Sequence, residues 1–139
     1  MKKIKYFIPA FCIMFLIFGF SGQNGSQSSG LSSIITSWIN TYLHIPITEF
    51  IIRKMAHMSE YALLALSLIY AFSKCQLPIN RVYIFSLLWT FLYACTDEFH
   101  QLFIGGRAGQ FTDVLIDTSG AILMIILFHI IYKYIKREK

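Results

Sequence analysis

The sequence predicts an all-α integral membrane protein: four transmembrane helices, with an amphipathic helix lying on the outer interface between the first and the second. Three observations lead there. Hydrophobic residues fill 56% of the 139 positions and charged ones only 14%, against roughly 25% charged in an average soluble domain. Four apolar stretches, at about 1.5 Å per helical residue, are long enough to cross roughly 30 Å of hydrocarbon. The cations flank those stretches unevenly, as orientation across a bilayer requires. The whole chain, 1–139, reads as a single domain without internal repeats.

The first span covers about 4–20 and follows Lys2, Lys3 and Lys5. Bulky residues surround Gly19 and leave no well-formed small-x-small site, so a retained helix is expected rather than a cleaved leader. Residues 21–33, SGQNGSQSSGLSS, lack an apolar period and read as a mobile outer linker. From about 31 to 43, Leu31, Ile34, Ile35, Trp38, Ile39 and Tyr42 take one helical face, and Ser32, Ser33, Thr36, Ser37, Asn40 and Thr41 the other. That helix is too short and too polar to span. It lies either on the membrane surface or across the bundle, two arrangements with the same pattern. Pro46 ends it, and a new helix can start near Thr48.

The second span, about 55–72, is entered through Arg53, Lys54, His57, Glu60 and Tyr61. Lys54, His57 and Tyr61 lie within about 60° on one helix face, with Glu60 roughly 60° beyond His57. A short turn, Leu77-Pro78-Ile79-Asn80, leads to the third span, about 82–103. Asp97, His100 and Gln101 share a face in its last turns, and Glu98 lies about 100° around. Gly105-Gly106 marks an outer turn with Arg107 beside it. Asp113 and Asp117 open the fourth span, about 113–132, and Gly120 one turn deeper permits close approach of a neighbour.

With the amino terminus inside, Lys2, Lys3, Lys5, Lys74, Arg81, Lys133, Lys136, Arg137 and Lys139 are all cytoplasmic, against Arg53, Lys54 and Arg107 outside. Both termini are therefore expected in the cytoplasm. The net charge of +5 serves orientation and anionic headgroups, and a nucleic-acid face is excluded. Cys12, Cys75 and Cys95 are odd in number and far apart, which suggests neither a disulfide framework nor a metal-thiolate site.

Spans two and four begin, and span three ends, on the outer side, so their polar residues fall at one depth. Charge at a bilayer centre costs roughly 2.5 to 3.5 kcal/mol, and such groups normally face a protein interior or a wet recess. Singly, each has a plain explanation: Asp113 as a helix-start acid, an Asp–Arg pair pinning the loop, His57 as a satisfied histidine. Together they exceed what packing four helices requires. His57, Glu60, Asp97, Glu98 and His100 are candidate acid/base groups for hydrolysis or transfer. Lys54, Tyr61, Gln101, Arg107, Asp113 and Asp117 are candidate binding residues. The same oxygen-rich set equally suits a divalent cation such as magnesium, calcium or manganese. A proton carrier is disfavoured, because the acids stop at one end. Ser59 reads as a back-bonded helix serine.

Lys54-x-x-His57-x-x-Glu60-Tyr61, Asp97-Glu98-x-His100-Gln101-x-Phe103, Arg107 and Asp113-x-x-x-Asp117-x-x-Gly120 together resemble the VanZ-like family of bacterial membrane proteins. Phe20-Ser21-Gly22-Gln23 is similar to that family's Ser/Gln stretch, and the family commonly has asparagine where this chain has Asp117. The resemblance implies a multi-pass bacterial plasma-membrane protein of the kind named for low-level teicoplanin resistance, with a role in the cell envelope. Its expected partners are membrane lipids and a lipid-linked envelope precursor or a lipoglycopeptide, met in an outer-leaflet polar pocket. An enzyme, a lipid or antibiotic binder and a structural partner of the envelope machinery all remain open at this point.

Overall fold

The computed structural model describes residues 3–137, apart from the side chains of residues 26–28, so Lys2 and Lys139 lie outside the described residues. A 3-10 turn, Ile4–Phe7, leads into α1 (Ile8–Ser21); α2 (Gly25–Tyr42), α3 (Glu49–Lys74), α4 (Ile79–Gln101) and α5 (Phe111–Arg137) follow, with no strand among the described residues. Three stretches are long and apolar enough to cross a membrane: Ile4–Ser21, Glu49–Lys74 and Phe111–Arg137. α4 has the length, at 23 residues, but Arg81, Asp97 and Glu98 dilute its apolar content and it does not join them.

α3 is the centre of the bundle. It packs most extensively on α5, then on α4, α1 and α2. Its start is set locally: the Thr48 hydroxyl accepts from the Ile51 N–H at 3.4 Å, satisfying one of the free donors of a first helical turn. Along its length Tyr61, Leu64 and Leu68 join Ala10, Ile17, Ala94 and Val114 in the core. Small residues line the other contacts, with Ala65, Ala71, Ser86, Thr90 and Ala121 buried, as expected where helices must pack without a hydrophobic force between them. Tyr93 ties α4 to α1 by donating its hydroxyl to the Met14 carbonyl at 2.6 Å. Phe15, Ile84, Leu123 and Ile130 point outward.

α5 crosses α3 at close range at Gly120. A Cβ there would run into the carbonyl oxygen of Met58 on α3, so only glycine allows α5 this approach.

α3 starts directly after Thr48, as expected, α4 covers Ile79–Gln101, and α5 continues past Tyr132 to Arg137. One expectation needs correction: the mobile linker is largely helical, since α2 starts at Gly25. Glycine and serine are weak helix formers, and this start is instead held by tertiary contact: the Gly25 N–H donates to the Gly105 carbonyl at 3.3 Å. At the other end, Asn40 closes the 43–48 connection, accepting from the Ile47 N–H at 2.9 Å and donating to the Ile47 carbonyl at 3.2 Å. Asn40→Ala is expected to lower stability by about 1 kcal/mol and to speed proteolysis near His44. Unchanged cleavage there would show that the two bonds do not hold the connection.

Candidate functional site at one end of the bundle

The connection 102–110 between α4 and α5 organises the site. Gly106 adopts φ +75°, a left-handed conformation that favours glycine, and its backbone comes so close to Gly25 that a Cβ on Gly25 would strike the Gly106 carbonyl. This turn delivers Arg107 inward. Its Nε donates to the Gln23 carbonyl at 2.9 Å and Nη2 to the Phe20 carbonyl at 3.2 Å, while Nη1 reaches Gln101 Oε1 at 3.5 Å. Gln101 in turn donates through Nε2 to Asp97 Oδ2 at 3.3 Å. A chain of hydrogen bonds therefore runs from the exit of α1 through Arg107 and Gln101 to a carboxylate on α4.

Burial draws the Arg107 pKa below the ordinary guanidinium value, and the nearby charge of Arg53 adds to this; Asp97, Glu98 and Glu60 pull it back. The group stays protonated, as arginine does in proteins.

Most of the candidate acids lie in one buried group. Asp97, Glu98 and Asp117 are 3%, 6% and 2% exposed. Glu98 Oε2 accepts from the Gln110 N–H at 3.0 Å, whereas Asp97 Oδ1 and Asp117 Oδ2 have no hydrogen-bond partner. Lys54 supplies the positive charge, its Nζ 2.5 Å from Asp113 Oδ1. Asp113 thus joins α5 to α3 and does not pin the loop through Arg107. It still stands in the first turn of α5, where a carboxylate suits the helix dipole. Tyr61 is fully buried, its ring 6.2 Å from that of Tyr93 and its hydroxyl within electrostatic reach of Asp97 and Asp117.

A second group faces a cavity of about 260 Å³ between α2, α3 and Arg107. Arg53, His57, Glu60, Gln23 and Arg107 give it polar walls, and Phe20, Leu31, Ile35 and Ile52 apolar ones. His57 Nδ1 is 3.8 Å from Glu60 Oε2, and neither atom has a hydrogen-bond partner. Helix geometry explains the division. Lys54 and Tyr61 nearly coincide on the helical wheel and turn to α5 and α4, whereas Arg53 and Glu60 sit about 100° to 120° away and turn to the cavity.

Of the residues expected in the site, His100 is the one brought elsewhere. Its ring lies 4.5 Å from that of Phe18, against α1. With the donors divided in this way, no three His, Cys, Asp or Glu side chains among the described residues are placed to share a metal ion. Arg53 and Gln23 were not anticipated. Arg53 had a signal, since it stands at i, i+4 and i+7 with His57 and Glu60; Gln23 is carried only by the Phe20-Ser21-Gly22-Gln23 stretch.

Long apolar helices whose polar residues converge at one end define an all-helical protein suited to a membrane, with a half-enclosed site near one end. The chain belongs to the VanZ/LLP1 family, whose sequence profile matches residues 6–132, nearly its full length. No curated protein and no solved structure matches it.

Proposed function

We propose that this is a multi-pass bacterial plasma-membrane protein in which α4 crosses with the three more apolar helices, α2 lies at the outer interface, and both termini face the cytoplasm. Its cavity takes up the head of a lipid-linked or lipid-like molecule of the cell envelope. One observation carries this reading: charged and apolar side chains line the same cavity, beneath an amphipathic helix. Pockets with a few convergent polar groups in apolar walls are the usual form of ligand sites. A lipoglycopeptide with an acyl tail would meet the same leaflet, so teicoplanin susceptibility is expected to follow the level of the protein. The separation of His57 and Glu60, 3.8 Å on the cavity wall, favours a second reading in which the bound molecule is also modified by acid/base chemistry.

The test is lipid extraction from protein purified in mild detergent. An envelope lipid should be enriched over the bulk membrane, and the enrichment should fall about tenfold, the equivalent of ~1.4 kcal/mol, in the His57→Ala/Glu60→Gln variant. Bulk composition in both proteins would reject the reading. A product that accumulates with wild type and not with the variant would select modification over binding alone.

A further inference from the structure

We infer that the cavity is built for a phosphate ester carried on a lipid, gripped between Arg53 and Arg107; this rests on the cavity being a headgroup site. Both arginines line it. Among the described residues the ion pairs are Lys54 with Asp113 and His57 with Glu60, so neither guanidinium has a carboxylate in direct contact. Arg107 is held by three neutral acceptors, the carbonyls of Phe20 and Gln23 and the amide oxygen of Gln101. These fix its position without any carboxylate in direct contact, while Asp97, Glu98 and Glu60 act on it only from a distance. Arg53 keeps a buried Nε–H with no partner.

The two cations are close enough that Arg53 depresses the Arg107 pKa, second only to burial. Two like charges in a half-buried space repel each other, and an anion between them turns that repulsion into attraction. Guanidinium forks match the tetrahedral oxygens of phosphate in paired hydrogen bonds. The unpartnered Glu60 Oε2 is an acceptor on the same wall, placed for a hydroxyl or ammonium elsewhere on the headgroup. Phe20, Leu31, Ile35 and Ile52 offer the hydrocarbon next to the phosphate a surface that a free anion would not use.

The experiment measures binding of dioctanoyl phosphatidate and of dioctanoylglycerol, which lacks the phosphate, to the full chain in detergent by native mass spectrometry. Wild type should prefer the phosphatidate by about tenfold or more, as expected for charge-assisted hydrogen bonds. Arg53→Gln should remove that preference, while Lys133→Gln, on the last turns of α5 at the opposite end, should keep it. Arg107→Gln should act in the same direction, but Arg53→Gln carries the test, because the Arg107 bonds also hold the fold together. Inorganic phosphate should displace the lipid only at far higher concentration; equal competition would overturn the assignment to a lipid headgroup. If both lipids bind equally and Arg53→Gln changes neither, the phosphate assignment falls while the headgroup cavity stands. If neither lipid binds, both fall.

Discussion

Gly120→Val should leave no folded protein to purify, and even Gly120→Ala should lower stability by about 3 kcal/mol, the upper range for overpacked cores. The added Cβ would meet the Met58 carbonyl oxygen, and a backbone atom inside a helix cannot rotate aside as the end of a side chain can. α3 and α5 would have to separate along the most extensive contact in the bundle. Moving them apart would also draw Lys54 from Asp113. Gly19 supplies the control, since nothing lies within 4 Å of a Cβ built there; Gly19→Ala should match wild type or exceed it slightly, given the helix preference for alanine. Thermal unfolding in detergent, followed by size-exclusion chromatography, reads both. A Gly120→Ala protein that melts with wild type would mean that α3 and α5 do not cross there.

The second large effect is expected at Lys54. Lys54→Met should destabilise by about 2 kcal/mol, somewhat below the range for breaking a fully buried pair, because each partner is 20% exposed. Removing the ammonium leaves Asp113 at an end of the bundle shared with Glu98, Asp97 and Asp117, an uncompensated accumulation of carboxylates. Asp113→Asn relieves part of that repulsion, so the Lys54→Met/Asp113→Asn protein should be more stable than the two single changes added together. A double-mutant cycle measures the difference. Strict additivity would mean that the 2.5 Å contact contributes nothing as a pair.

What the sequence made legible was local. Thr48 before an apolar run, glycines in succession at 105 and 106, and a glycine one turn below two aspartates each specify their own geometry, and the structure has a helix start, a turn and a close crossing at these positions. The family resemblance was legible for the same reason, through fixed spacings within single helices. What escaped depended on contacts between distant segments. The start of α2 is stabilised by backbone approach to Gly105 and Gly106, a contact that leaves no apolar period in a Gly/Ser-rich stretch. A helical wheel places His100 beside Asp97, but it is blind to α1, whose Phe18 takes that ring. Arg53 lies about 100° from Lys54 but only about 20° from Glu60 on the helical wheel, so it belongs with the cavity face and not with the face that carries Lys54 and Tyr61.

The grip of Arg107 on the carbonyls of Phe20 and Gln23 has a mechanical consequence. α1 packs mainly on α3 and meets α4 along only a short contact. Its exit is nevertheless fastened to a rigid fork that also touches Gln101, and Gln101 touches Asp97. A tilt of the first helix therefore cannot remain its own: it hauls on the guanidinium, shifts a wall of the neighbouring hollow, and tugs at a carboxylate two side chains away.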